Sequence, residues 1–347
     1  MKEILKYSCL IFLYALSHSY LATCFAIDLK IKGYEERYIG LSLSLWGIGV
    51  ILGALLHNLI RKKLNLISTI LYGSLIQFTF SLIFLFDQNT FLVALMQFVM
   101  GITSAINSLT LESHISSKFK KSSGFYISLF WSSAGLGAIT GSLFIAINGI
   151  NNLTYYIAIL FFLMHFIPIY LFRSSISKIA IENLSLRLSK NVISKIKYLL
   201  FCVILFGACD AGFSSLFPSY LLEQNYSDKQ IGRINFLAGA IALFFYPFMG
   251  KLVDNYNKTI IFNSFCFINL INLLVLYSIS DFYIYVICVA FYYYTIGTVF
   301  LITFNIVGKK LEGGVIVFGI AGHYISENIG SFLGPNLIGN ILSLIHI

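Results

Sequence analysis

"GKLVDNYNK" spans residues 250–258, between two long apolar stretches. A glycine, an aspartate four residues later and then a lysine interrupt an oily run. The segment leading into it, "NYSDKQIG" (225–232), echoes "GYEERYIG" (33–40). At an offset of 192, Tyr34 falls on Tyr226, Ile39 on Ile231, Gly40 on Gly232 and Gly47 on Gly239. A second echo, at an offset of 193, sets Ser133, Gly137 and Gly141 on Ser326, Gly330 and Gly334. Small residues every four positions line one helical face and let neighbouring backbones approach. Their recurrence at matching places implies a chain built twice.

Composition decides the solvent. Hydrophobic residues make up 58% of the 347 positions and charged residues 11%, with a mean hydropathy of +0.86. A soluble domain carries roughly 25% charged residues. This chain has too little polar surface to cover a water-soluble globule, so a bilayer is expected around it. A spanning helix needs ~20 mostly apolar residues. That ruler predicts eleven spans, at about 5–27, 38–60, 66–86, 91–113, 125–147, 154–172, 198–222, 230–250, 259–280, 282–306 and 314–342. The runs are continuous rather than alternating, which favours helices over a strand barrel. The expected class is all-α and polytopic. Lys2 and Lys6 before the first span, and "LATC" (21–24) at its end, resemble a secretion signal. The apolar run is too long for one, and ten more spans follow.

The net charge of +9 is explained by orientation rather than by a nucleic-acid partner. With a cytoplasmic N-terminus, only Lys30, Lys32, Arg37, Lys229 and Arg233 of the 23 basic residues lie outside. This is the positive-inside bias. The six cysteines fall within spans and lack metal-ligand or disulfide-framework spacing. No G-x-x-x-x-G-K-[ST] loop, H-E-x-x-H helix or nucleophile elbow occurs, so no enzyme, ATP-driven machine, metal site or cofactor is expected.

The longest inside segment, 173–197, holds six basic residues and one acid, Glu182. Its apolar positions (Ile176, Ile179, Leu184, Leu188, Val192) suit either an amphipathic helix on the inner face or a solvated linker. It divides the chain into a six-span bundle (1–172), the basic cytoplasmic linker (173–197) and a second bundle of five spans (198–347).

G-x-x-x-D followed by a basic residue, after the second span of a half, resembles the signature of the major facilitator superfamily. Here it stands as Gly250, Asp254 and Lys258. The resemblance implies two pseudo-symmetric six-helix bundles, with the glycine packing closely and the aspartate meeting neighbouring helix ends. A carboxylate near helix N-termini is favoured by the dipole. The first half departs from the pattern. "ALLHNLIRKKLN" (54–65) has Asn58 for the glycine and Lys62 for the aspartate, keeping the basic tail Arg61, Lys62 and Lys63. The fourth span reads "QFVMG", with Gln97 where many relatives have a proton-coupling arginine. "GITSAINSLTLES" (101–113) and "IGSFLGP" (329–335) resemble the YcaD-like branch. The superfamily has twelve spans, so the resemblance implies that this chain is truncated after "ILSLIHI" (341–347).

Ionisable groups at mid-membrane depth are costly and usually functional. Asp210 lies mid-way in the seventh span, Glu327 in the eleventh and His18 in the first. His323 precedes Glu327 by four residues, which puts both on one helical face. A histidine beside a carboxylate is a proton-handling pair. Asn107 and Glu112 extend the polar face of the fourth span, with Glu112 expected to pair with Lys62 or Arg61. Asn235, Asn305, Trp131 and "FYYYT" (291–295) are weaker candidates for contact with solute. Each has a plainer reading: a hydrogen bond between helices for Asp210 and Glu327, local serine contacts for His18, and packing for the aromatics. The resemblance implies a secondary carrier of a small organic solute in a bacterial inner membrane. It is expected to act as a monomer by alternating access, with protons carried through Asp210 or Glu327. A non-transporting sensor or assembly factor on the same fold is the competing expectation.

Overall fold

The computed structural model describes residues 2–85, 89–118, 123–151, 153–172, 186–278, 281–310 and 315–345. It is built of helices α1 (Lys2–Ile31), α2 (Glu36–Lys63), α3 (Leu66–Ser81, continued as a 3-10 turn, Leu82–Leu85), α4 (Thr90–Lys118), α5 (Ser123–Asn148), α6 (Thr154–Met164), α7 (Phe166–Phe172), α8 (Leu186–Glu223), α9 (Asp228–Asn255), α10 (Lys258–Ser278), α11 (Phe282–Lys310) and α12 (Val315–Ile345). Among the described residues, nine helical stretches are long and apolar enough to cross a membrane. The other two expected spans, the eighth and eleventh, form α9 (28 residues) and α12 (31 residues).

The sixth span is broken. α6 stops at Met164 and α7 begins at Phe166, with His165 at the joint. Pro168 accounts for the break, because it lacks an N–H and its ring crowds the carbonyl four residues back, that of Met164. Part of the expected linker is helical: residues 186–197 form the first turns of the 38-residue α8. No glycine or proline separates them from the span, so nothing stops the helix. Residues 173–185 lie outside the described residues.

The two halves pack by the same rules. α1 lies on α5 as α8 lies on α12, and α2 lies on α4 as α9 lies on α11. The second sequence echo sits at the α1–α5 and α8–α12 contacts. A Cβ on Gly137 would collide with the Phe12 carbonyl and lie 3.0 Å from the Leu16 nitrogen. A Cβ on Gly330 would collide with the Ile204 carbonyl and lie 2.6 Å from the Ala208 nitrogen. Phe12 and Leu16 are themselves 192 residues from Ile204 and Ala208, so contact and counter-contact repeat together. The turns into the third helix of each half also match. Asn65 Oδ1 accepts from the Ser68 N–H at 2.8 Å, and Asn257 Oδ1 accepts from the Thr259 N–H at 2.9 Å. Such N-caps satisfy helix-end donors that otherwise lack partners.

The halves meet along α2–α12, α5–α9 and α1–α8. Gly40 and Gly47 seat α2 on α12, and Gly232 and Gly239 seat α9 on α5. The first echo therefore makes the joint between halves, whereas the second makes the joint within each half.

Among the described residues, the large apolar cluster that joins the halves lies at one end. At the end bearing the α1–α2 turn, a single buried cluster takes Leu21 and Phe25 from α1, Ile145 from α5, Leu216 and Leu221 from α8, Ile231 from α9 and Tyr285 from α11. At the α2–α3 end, among the described residues, one cluster draws on the first half (Ile4, Ile11, Leu66, Leu111, Phe130) and another on the second (Ile261, Ile302).

Charges reinforce the joined end. Lys30 of α1 pairs with Glu36 of α2 and with Glu223 of α8, so it links the halves. Asp28 takes Lys32 Nζ at 2.9 Å and the Tyr155 hydroxyl at 2.7 Å. Asp228 Oδ2 accepts from the Ile150 N–H at 2.6 Å, tying α9 to the α5–α6 turn. The Lys30 and Glu223 side chains are only 21% and 25% exposed. A double-mutant cycle with Lys30→Ala and Glu223→Ala, read by unfolding in detergent, is expected to give a coupling of about 1 kcal/mol. A coupling of zero would show that the pair does not hold the halves together.

Candidate functional site

Polar groups gather at mid-depth, where α4, α8, α11 and α12 approach one another. On α12, Tyr324 packs with Val50, Ala105, Trp46 and Trp131, and its hydroxyl engages Ser108 of α4. About one turn from this contact, on opposite sides of it because α4 and α12 are antiparallel, stand Glu112 on α4 and Glu327 on α12. Glu112 is buried, 4% exposed, and its Oε1 has no hydrogen-bond partner. Glu327 is half-buried and lies within electrostatic reach of both Glu112 and Asp210. Gly207 explains the approach of Asp210. It lies three residues before Asp210 on α8, and its missing side chain lets α8 press on the Glu327 backbone.

Among the described residues, Lys30, Lys32 and Arg37 form ion pairs with acids near helix ends, and none of these pairs includes Asp210, Glu327 or Glu112. No lysine or arginine occurs in 64–117, 198–228 or 311–347, the stretches that carry the acids. Aromatic rings close the site. Trp131 of α5 meets Phe300 of α11 edge-on at 6.2 Å, and Phe300 meets His323 at 4.9 Å. Beside Asp210, Tyr292 of α11 is 1% exposed and its hydroxyl has no partner.

The expected pairing of Glu112 with Arg61 or Lys62 is overturned. Arg61 Nη1 donates to the Leu64 carbonyl at 3.3 Å, Lys62 is exposed, and Glu112 faces inward toward Tyr324. The rotation of α4 against α2, set by Gly49 and Gly53 packed on Phe98 and Ile102, turns Glu112 away from the basic loop. His323 Nε2 meets Thr303 Oγ1 of α11 at 2.9 Å, a partner the i, i+4 spacing did not suggest.

His18 is the repeat counterpart of Asp210, at an offset of 192. Its ring sits 3.7 Å from that of Trp46, centroid to centroid. Asn107 turns the other way, within the first half. It faces the space left by Gly73 on α3, and neither of its side-chain polar atoms has a partner. With Tyr14, Ser74, Ser108 and His165 it lines a small cavity with room for about one water molecule. Sequence reasoning missed this network. Gln77, fully buried, donates to the Tyr14 hydroxyl and to Thr103 Oγ1 (2.7 Å), and Ser17 Oγ lies 3.0 Å from His165 Nε2. Two signals were available: a lone glutamine in an apolar helix, and a histidine three residues before a proline. Gly250 and Asp254 fall in the last turns of α9 and Lys258 opens α10, where the motif predicts an interior turn. The side chains of Gly250, Asp254 and Asn305 lie outside the described ones.

The family described as Major Facilitator Superfamily matches residues 7–335. No curated protein matches the chain. Among solved structures, the chain is similar to that of the nucleoside transporter NupG, with a TM-score of 0.78, 12% identity, and 99% of this chain and 92% of that one covered. It is also similar to a bacterial homologue of the human lysosomal transporter Spinster, inward-facing and unoccupied (TM-score 0.77, 13% identity, 98% and 82% covered). A third likeness is to a D-xylose–proton symporter (TM-score 0.70, 12% identity, 99% and 97% covered). At these identities the likeness concerns the fold.

Proposed function

The chain belongs to the major facilitator superfamily, and from that premise we propose that it moves a small organic solute across a membrane by alternating access. The observation that carries this reading is the asymmetric core. The halves share a large buried cluster and the Lys30–Glu223 pair at the α1–α2 end and a small cluster at mid-depth around Tyr324, whereas among the described residues each cluster at the α2–α3 end draws on one half. Such a molecule is closed on one side of the seam. Rocking about the glycine joints of α2–α12 and α5–α9 would close the other. The basic residues Arg61, Lys62 and Lys63 put the α2–α3 end in the cytoplasm by the positive-inside rule. The state described is then inward-facing, in a bacterial inner membrane, with the N-terminus inside.

Asp210 is the proton-carrying group in this reading, and Glu327 is its neighbour across the α8–α12 contact. A carboxylate held in low dielectric without a counter-charge can exist as a neutral acid or as the partner of a cation, and exchange between these two states couples two fluxes. Purified chain in sealed vesicles tests the proposal. Imposing a pH gradient is expected to drive uptake or release of a solute from a metabolite mixture, above the level in empty vesicles. Binding of solute without any flux would instead favour a non-transporting sensor, a reading that the altered first-half loop (Asn58, Lys62) supports.

A further inference from the structure

We propose that the seam selects a solute carrying positive charge, an organic amine or ammonium, seated between Glu112 of the first half and Glu327 of the second. The inference rests on the transport reading above and adds the chemical class of the cargo. Because α4 and α12 run antiparallel, Glu112 and Glu327 flank the Ser108–Tyr324 contact from opposite sides, each about one turn from it, on opposite halves. They remain within electrostatic reach of one another, and in a low-dielectric interior a proton or a cation between them relieves the repulsion. No lysine or arginine occurs in 64–117, 198–228 or 311–347, the stretches of chain that carry these acids. Glu112 Oε1 is buried without a partner, and so is the Tyr292 hydroxyl on the Asp210 side of the cluster. These unspent oxygens are acceptors, suited to ammonium N–H donors.

The rings give a second, independent reason. Trp46, Trp131 and Tyr324 pack into one cluster with Val50 and Ala105, and Tyr324 lies within electrostatic reach of Glu112 and Glu327. Aromatic faces attract cations by their quadrupole, and tryptophan does so best. Carboxylates alone would suit a metal ion, but carboxylates walled by indole and phenol rings suit an organic cation. Carboxylates on both halves also explain how such a cargo would be shared during rocking, since each half keeps one.

The chain contains two tryptophans, Trp46 and Trp131, and both face this cluster, so intrinsic fluorescence reports on it directly. Three probes of similar size are titrated into the purified full chain: benzylammonium, benzyl alcohol and phenylacetate. The expected result is saturable quenching by the ammonium, at least about tenfold tighter than by the other two, a difference of ~1.4 kcal/mol. Glu327→Gln and, separately, Glu112→Gln are expected to remove that preference while leaving the thermal transition in detergent in place. Equal or tighter binding of the neutral or anionic probe overturns the proposal. So does absence of saturable quenching by the ammonium, or a preference that survives both substitutions. Vesicle flux separates this outcome from failure of the transport reading. An ammonium that binds but does not cross leaves the cation site standing and removes transport. Flux confined to neutral or anionic solutes does the reverse.

Discussion

Asp210→Asn is expected to abolish uphill accumulation of solute in vesicles, by at least about tenfold, while exchange of solute for solute falls by less than about threefold. The asymmetry follows from what the substitution removes. Asparagine keeps the size and hydrogen-bonding capacity of the side chain, so the α8–α12 contact around Gly207 and Glu327 is preserved. It cannot take up or release a proton. Exchange needs only the rocking motion and a site, whereas accumulation needs the second flux. The two assays are run on one preparation, so poor folding would lower both alike. Unchanged uphill accumulation would remove Asp210 from the mechanism and leave Glu327 as the candidate.

Gly47→Leu is the second large effect expected. A Cβ there would fall 2.6 Å from the Asn328 carbonyl oxygen and 2.8 Å from the Phe332 nitrogen. Both are backbone atoms of α12, so no side chain can swing aside. Overpacking a tight contact costs typically 1–3 kcal/mol. Here the cost falls on the joint between halves, and the molecule relieves it by separating α2 from α12. Solute flux is therefore expected to fall by about tenfold, with each half still folded. Gly330→Leu is the contrasting control. It sits within the second half, against Ile204 and Ala208, and is expected to lower the unfolding temperature instead. If the two variants behave alike, the glycines do not divide into an inter-half and an intra-half set.

The span positions, the duplication and the deep acids were all legible in the residues. Hydropathy located the helices because the bilayer imposes a minimum apolar length on any helix that crosses it. The echoes at offsets of 192 and 193 marked contacts correctly, because a glycine shared by the two copies meets the corresponding neighbouring helix in each. Asp210 and Glu327 stood out because charge at that depth is expensive whatever surrounds it.

The facing of those acids was not legible, and Glu112 is the instructive case. Helices apolar on every side carry no stripe to show which face turns inward. The expectation that Glu112 meets Arg61 or Lys62 rested on nearness to the loop, and it failed. Close packing at Gly49 and Gly53 rotates α4 so that the carboxylate meets Tyr324, a residue more than 200 positions away. The network of Tyr14, Gln77, Thr103 and His165 was hidden for the same reason: its members come from α1, α3, α4 and the α6–α7 break. The sequence by itself determined that the molecule is a duplicated membrane bundle with acids at its centre, since solvent and chain length enforce this locally. Only the tertiary structure decided which carboxylates share the seam, because helix rotation is set by contacts between distant segments.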